Sequence, residues 1–145
     1  MAIKVSAILK HKGHRVVTVT PQEQVASVVK VLTQNRIGAA PVIDGSGRLV
    51  GIISERDIIR GMSEYGEATL GLATEQLMTR EVKACSCEDE LVELMQVMTL
   101  KRIRHLPVLE NRALDGIVSI GDVVKQRLDE VQSEAEELRR YISSS

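Results

Sequence analysis

One seven-residue stretch occurs twice, and this duplication constrains the fold more than any other feature of the chain. Residues 51–57 read GIISERD, and residues 116–122 read GIVSIGD. Each copy begins as an apolar run rich in β-branched residues, which predicts a buried strand. Each copy then becomes polar and leads into a second apolar-periodic segment. We therefore expect two strands that each end in Ser-x-x-Asp, where a helix begins.

A serine and an aspartate at such a junction have two possible uses. Their oxygens can accept hydrogen bonds from the unpaired amides of the first helical turn, which is a structural use. An acid and a hydroxyl at a helix N-terminus can also hold a sugar diol and a phosphate. One copy would favour the structural use, but two copies in matching contexts give weight to the binding hypothesis.

The repeat extends beyond these stretches. Residues 36–42 and 102–108 align at a spacing of 66, and the spacing becomes 65 after the following turn. A repeat of roughly 60 residues is too long for a solenoid unit and suits a duplicated half-domain. Apolar residues at i, i+3, i+4 and i+7 predict one buried helix face in each copy. These residues are Val25, Val28, Val29 and Leu32 in the first copy and Leu91, Leu94, Met95 and Met98 in the second.

The composition excludes several classes of protein. A chain of 145 residues is expected to form one compact domain, or two halves that share a core. It has no Trp, no Phe and two Tyr, so the core is aliphatic and few side chains can stack on single-stranded nucleic acid. A net charge of −1, with both signs interspersed, favours neither DNA nor an anionic membrane. We expect no nucleic-acid partner, no membrane partner and, without a signal peptide or a spanning segment, a cytoplasmic location.

Cys85 and Cys87 are separated by one residue, a spacing that admits a metal or redox site. The histidines, at positions 11, 14 and 105, form no ligand spacing with them. We therefore expect two small side chains in or just after a strand, and no metal site.

The predicted elements give an α+β fold with the order β-α-β-β-α in each repeat. In the first repeat we expect a strand at 16–20, a helix to about Asn35, strands at 40–43 and 48–53 around a turn at 44–47, and a helix ending near Gly61 or Gly66. Thr20 is predicted to cap the first of these helices, with Glu23 completing a capping box. The expected organisation is 1–65 for a lead-in and the first repeat, 66–80 for a linker with a helical turn at 74–78, and 81–145 for the second repeat. The basic residues at 10–15 are interpreted as a solvated loop, which could contribute charge if phosphates lie nearby.

The last helix is predicted to be much longer than its counterpart in the first repeat. Its apolar residues recur at alternating spacings of 4 and 3, the a/d pattern of a coiled coil. The stripe would span roughly 30 Å, and it must cover either this chain or a partner, for which we expect a homodimer. The residues are Val124, Leu128, Val131, Ala135, Leu138 and Ile142.

Together these motifs resemble a tandem pair of cystathionine-β-synthase-type (CBS) domains. The resemblance covers roughly residues 5–128 and leaves no room for a catalytic or DNA-binding domain. It rests on RIGAAPVID at 36–44, GRLVGIISERD at 47–57, LMTREV at 77–82, RIRHLPV at 102–108 and GIVSIGDVVK at 116–125.

The resemblance implies a regulatory or sensory module with two clefts for adenosine-containing ligands. AMP is the first candidate, and ADP, ATP, NAD(H) or an S-adenosyl compound are others. Each cleft would combine residues of both repeats, and Cys87 stands where the family has a proline. One cleft would contain Thr20, Val25, Ile37, Gly38, Ile117, Ser119, Gly121 and Asp122; the other would contain Ser86, Leu91, Ile103, Arg104, His105, Ile52, Ser54, Arg56 and Asp57.

Several of these residues also have a structural interpretation. Val25, Ile37, Leu91 and Ile103 belong to the core with or without a ligand, and His105 is either a core histidine or a phosphate contact. No nucleophile, base and oxyanion hole can be assembled, so we do not expect an enzyme. The alternative is an interaction module with vestigial clefts that acts on an unidentified partner protein. Two intact acidic positions argue against that alternative, because an idle cleft does not need a buried carboxylate.

The two predicted clefts differ in charge. The Asp57 cleft would carry Arg56, Arg104 and His105, whereas the Asp122 cleft has Gly121, Gly38 and Ala39 at the corresponding positions. We expect the Asp57 cleft to bind a phosphate-bearing nucleotide about tenfold more tightly, because charge-assisted contacts contribute roughly 1.5–3 kcal/mol each. In calorimetry, Asp57→Ala should abolish the tight phase and Asp122→Ala should not. Equal affinity losses in the two variants would contradict this expectation.

Overall fold

The computed structural model describes residues 3–144. It is an α+β fold with two two-stranded sheets and a long C-terminal helix, which confirms the predicted class. The helices and strands are α1 (Val5–Lys12), α2 (Val25–Asn35), β1 (Ala39–Ile43), β2 (Leu49–Ser54), α3 (Glu55–Tyr65), a 3₁₀ helix (Gly66–Gly71), α4 (Thr74–Leu77), α5 (Leu91–Lys101), β3 (His105–Glu110), β4 (Ala113–Ser119) and α6 (Ile120–Ser144).

The chain divides into two compact units. The first, which we name the α3 unit, comprises Arg15–Ala84 with Leu109–Asp115. The second, the α6 unit, comprises the described residues up to His14, Cys85–Val108 and the described residues from Gly116 onward. The N-terminal segment therefore packs with the second repeat, although it precedes the first in the sequence.

The α3 unit is built around an antiparallel hairpin. β1 pairs with β2 in a register that places Ala39 opposite Ser54 and Pro41 opposite Ile52. The predicted face of α2 is buried against this hairpin, as its i, i+3, i+7 spacing requires. The fully or almost fully buried residues are Val19, Val25, Val28, Leu32, Ala40, Val42, Ile53, Ile58 and Met78.

The core of the α6 unit joins α1, α5, the β3–β4 hairpin and the start of α6. Every member is aliphatic or a sulfur-containing side chain, in agreement with the lack of Trp and Phe. The buried residues are Val5, Ile8, Leu9, Cys85, Leu91, Leu94, Met98, Leu106, Val108, Val118 and Val123.

The glycine that opens each repeated stretch is required for close packing. A Cβ built on Gly51 would lie 2.6 Å from Met78 Sδ, and one built on Gly116 would lie 2.8 Å from Leu9 Cδ2. Both distances are shorter than van der Waals contact allows, so a larger residue would displace an apolar side chain from the strand. The two glycines thus have the same role against different partners.

Two predictions about the start of the repeats are wrong. The basic residues at 10–15 do not all form a loop, because α1 continues through Lys12. The first strand of each repeat is reduced to a single parallel bridge, Val19 with Val42 and Cys85 with Val108. Val19 bonds to β1 through both its N–H and its carbonyl, but the proline at position 21 has no N–H to continue the ladder.

Thr20 does not cap α2, which begins five residues later at Val25 with Gln24 as its N-cap. Glu23 N donates to the Thr20 carbonyl at 3.3 Å, which closes a turn before the helix. Val25 N donates to the carbonyl of Leu72 at 2.9 Å. A tertiary contact therefore satisfies the first amide of α2, for which Gln24 provides no side-chain cap.

The other boundaries agree with the sequence prediction. α2 ends at Asn35, α3 ends at Tyr65 before Gly66, and α4 provides the helical turn at 74–77. Within residues 3–144, none of the helices combines the length and the apolar character needed to cross a bilayer. The cytoplasmic location and the domain boundaries stay predictions.

Candidate functional site

Both Ser-x-x-Asp junctions form reciprocal capping bonds. Ser54 Oγ accepts a hydrogen bond from Asp57 N at 3.3 Å, and Asp57 Oδ2 accepts from Ser54 N at 2.9 Å. In the second copy Ser119 Oγ accepts from Asp122 N at 3.1 Å, and Asp122 Oδ2 accepts from Ser119 N at 2.9 Å. Each carboxylate is thereby held at a helix N-terminus, where the helix dipole stabilises negative charge.

The start of each hairpin lies against the helix start of the same repeat. Glu55 N donates to the Gly38 carbonyl at 2.9 Å, and Ile120 N donates to the Arg104 carbonyl at 2.8 Å. Two positions before these carbonyls, Arg36 and Arg102 both have a φ of 54°, which ends α2 and α5 in the left-handed region. The repeated Arg-Ile pair thus lies at the end of a helix in each repeat. It is followed by Gly38, next to the Ser54–Asp57 motif, and by Arg104, next to the Ser119–Asp122 motif.

Asp57 is closely enclosed, with only 4% of its surface exposed. Ser54 Oγ donates to its Oδ2 at 3.0 Å, and Thr79 Oγ1 donates to its Oδ1 at 3.1 Å. Arg60 Nη1 lies 3.3 Å from Oδ1, but the Arg60 side chain is 70% exposed, so this ion pair contributes little. Both oxygens of the carboxylate therefore have donors in the α3 unit.

Asp122 is more open, since 25% of its side chain is exposed. Lys12 Nζ donates to its Oδ2 at 2.6 Å and to the Ile117 carbonyl at 2.8 Å. Burial works to raise the pKa of Asp122, but the hydrogen bonds from Lys12 and Ser119 together with the lysine charge hold that pKa below its ordinary value. Asp122 is therefore a carboxylate stabilised by a cation from a different part of the chain.

Lys12 is the site residue that the sequence reasoning missed. Lys12 belongs to the basic residues predicted at 10–15, and the structure places its ammonium group 2.6 Å from Asp122 Oδ2. A signal was present: Val5, Ile8, Leu9 and Lys12 follow i, i+3, i+4, i+7 and share one face of α1. The basic residues that follow the apolar patch concealed this short helix.

A groove of about 270 Å³ lies beside the Lys12–Asp122 pair in the α6 unit. Both signs of charge line it, so it has no strong preference for an anion or a cation. Its lining residues are Ile8, His11, Lys12, Asp122, Lys125, Gln126 and Asp129.

The other predicted site residues are distributed over both units. Val25 and Leu91 are buried, Thr20, Arg56, Arg104 and Gly121 are exposed, and Ile37, Gly38, Ile52, Ser86, Ile103, His105 and Ile117 are half-buried. Each predicted cleft combines residues of the two units. The membership of the clefts therefore stays a prediction.

Cys85 belongs to the core of the α6 unit, and Cys87 packs against that core. Cys85 is buried, and desolvation first, then Asp89 and Cys87, raises the pKa of its thiol to about 12. The Cys87 carbonyl accepts a hydrogen bond from Ser6 N at 3.1 Å at the start of α1. Within the described part of the chain, no three His, Cys, Asp or Glu residues are grouped as metal ligands.

The duplicated hairpin and helix, with a capped acid at each junction, define a paired repeat module. The CBS domain family model matches residues 5–64 and 74–129, and the chain belongs to this family as a tandem CBS pair. It is 34% identical over 146 residues to the mitochondrial CBS domain-containing protein CBSX3 of Arabidopsis thaliana, covering 95% of this chain and 71% of that protein.

Solved structures show the same fold. The CBS-domain protein ATU1752 of Agrobacterium tumefaciens is 41% identical, with a TM-score of 0.85 over 88% of this chain and 95% of that one. The CBS domain pair of protein MJ0100, crystallised with 5'-methylthioadenosine and S-adenosyl-L-methionine, is 22% identical, with a TM-score of 0.76 over 90% of this chain and 99% of that one.

The two acids should contribute differently to stability. Asp57→Ala should lower the free energy of unfolding by about 2–3 kcal/mol, because it removes a buried carboxylate that caps α3 and accepts hydrogen bonds from Ser54 and Thr79. Asp122→Ala should cost about 1 kcal/mol, since its surroundings are half-exposed. Urea denaturation measures both, with the exposed Glu64→Ala as the control in α3. Equal losses at the two aspartates would contradict the difference in burial.

Removing the Lys12 charge should raise the pKa of Asp122. In Lys12→Met the burial of the carboxylate persists while its cation is lost, so the carboxyl should protonate at higher pH. A depressed pKa stabilises the folded state above the ordinary value of 3.8 and loses this contribution as the pH falls through the folded value. Lys12→Met lacks this contribution, so it should be less stable than the parent near neutral pH, and its stability should fall less than the parent's as the pH drops below 3.8. Carboxyl NMR titration measures the shift, Lys10→Met is the matched control, and an unchanged pKa would contradict the role of Lys12.

Proposed function

We propose that this protein is a non-catalytic regulatory module that binds an adenosine-containing ligand through its two capped aspartates. The observation that carries the proposal is the Asp122 position. There a partly exposed carboxylate at a helix N-terminus lies 2.6 Å from a lysine ammonium group. The carboxylate can accept hydrogen bonds from a ribose diol, while the lysine and the helix N-terminus suit a phosphate.

Membership of the CBS family supports the choice of ligand class. The CBS pair of MJ0100 was crystallised with two adenosyl compounds, although at 22% identity its likeness to this chain concerns the fold alone. We propose AMP as the first ligand to test. ADP, ATP, NAD(H) and S-adenosyl compounds form the rest of the class.

The two aspartate carboxylates differ in how accessible they are to a ligand. At Asp57 a ribose hydroxyl would have to replace the Thr79 hydroxyl or the Arg60 guanidinium on Oδ1. At Asp122 the carboxylate has a larger exposed fraction, 25% against 4%. Access therefore favours Asp122, whereas the arginines predicted for the other cleft favour Asp57, and calorimetry on the two aspartate variants decides between these effects.

The competing function is a ligand-free interaction module. The capping bonds give both aspartates a structural use, so their presence does not by itself exclude this alternative. The Lys12–Asp122 pair likewise has a structural use in joining α1 to α6. A direct binding measurement is therefore needed to separate the two functions.

Thermal denaturation in the presence of adenosine ligands provides that measurement. A ligand that binds only the folded state at 100 times its dissociation constant adds about 2.7 kcal/mol, which corresponds to roughly ten degrees in melting temperature for a chain of this size. AMP or a relative should produce such a shift, and inorganic phosphate alone should produce much less. Asp122→Asn, which keeps the size of the side chain and removes its charge, is the matched variant and should reduce the shift. Negligible shifts with every adenosine ligand would favour the interaction module.

A further inference from the structure

The C-terminal part of α6 extends beyond the packed core. Val123 is the buried residue that the helix contributes, and every residue from Val131 to Ser144 is exposed. The match to the CBS domain model ends at residue 129. Isolated helices shorter than about 12–15 residues are marginal in water. This segment therefore needs a stabilising partner that the CBS fold itself does not provide.

One face of this segment is apolar and open to solvent. The stripe residues have exposed fractions of 48% at Val124, 59% at Leu128, 44% at Val131, 60% at Leu138 and 64% at Ile142. The residues alternate in spacing between 4 and 3, which is the a/d pattern of a two-stranded coiled coil. The a positions are Leu128, Ala135 and Ile142, and the d positions are Val124, Val131 and Leu138. A second copy of the same stripe matches this spacing along its whole length.

We propose that this stripe pairs with the α6 stripe of a second copy of the chain, in parallel orientation. The charged residues that flank the stripe favour the parallel orientation. Glu134 occupies a g position and Arg139 the following e position. In a parallel pair each g residue faces the e residue five positions later on the other helix, so Glu134 of each copy faces Arg139 of the other.

The antiparallel arrangement that aligns the same stripe is disfavoured by charge. It places Leu128 opposite Leu138 and Val131 opposite Ala135, so g faces g and e faces e. Glu134 would then face its own counterpart. Lys125 would face Arg139 twice, once near each end of the stripe. Like charges in these positions select against an arrangement, even though each pair contributes little energy by itself.

A charge reversal at position 139 separates the orientations. Arg139→Glu places a second carboxylate opposite Glu134 in a parallel pair and should raise the dimer dissociation constant roughly tenfold. The same change would bring opposite charges together in an antiparallel pair and lower that constant. The double variant Glu134→Arg with Arg139→Glu restores attraction in the parallel pair and should return the constant to the parent value. Arg140→Glu, which makes the same charge change at an outward f position, is the control.

Analytical ultracentrifugation of the full chain measures these constants, and disulfide cross-linking gives an independent readout. Ile142→Cys should form a covalent dimer under oxidation, because a positions meet their own counterparts in a parallel pair. The parent, with its native Cys85 and Cys87, is the control for cross-linking elsewhere. A monomeric parent, a tighter Arg139→Glu dimer, or cross-linking that requires Val124→Cys mixed with Ile142→Cys would each overturn the proposal. The test is independent of ligand binding, so its failure leaves the proposed function untouched.

Discussion

The reciprocal hydrogen bonds between a serine and the aspartate three residues later are the interaction on which both halves of this protein depend. They fix the direction in which α3 and α6 leave their strands, at Ser54 and at Ser119. The amide that follows each serine donates to the carbonyl at the start of the same hairpin. Strand, helix and hairpin therefore meet at one point, and the glycine three residues before each serine lets an apolar side chain pack against the strand there.

The same arrangement couples stability to the availability of the carboxylate. A capping aspartate is held in place by donors, and each further donor makes the carboxylate less available to a ligand. The two copies differ in this respect because segments outside the repeat supply different donors. Thr79, from the segment after α4, encloses Asp57, whereas Lys12, from α1, leaves a quarter of the Asp122 side chain exposed. The asymmetry between the copies thus comes from the connecting segments more than from the repeated sequence.

The periodic parts of the fold could be predicted from the sequence, and the tertiary contacts could not. The α2 and α5 faces, both hairpins and the long last helix follow from spacing and turn chemistry. The start of α2 at Val25 could not be predicted, because its first amide donates to the carbonyl of Leu72, 47 positions further along the chain. The pairing of Lys12 with Asp122 joins residues 110 positions apart, and no local pattern contains that information. Only the short apolar face of α1 hinted that Lys12 is directed toward the core side of its helix.

α6 connects the candidate site to the proposed dimer within one continuous helix. Asp122 lies in its first turn, and Val124, the first residue of the apolar stripe, lies two positions later. In a parallel pair the two Asp122 carboxylates lie at the same end of the coiled coil, whereas an antiparallel pair would separate them by roughly the length of the stripe. A ligand that changes the charge at Asp122 in a parallel dimer therefore acts on two equivalent helix ends together. If the ligand binds the dimer more tightly than the monomer, linkage requires that the bound ligand strengthen the dimer by the same factor.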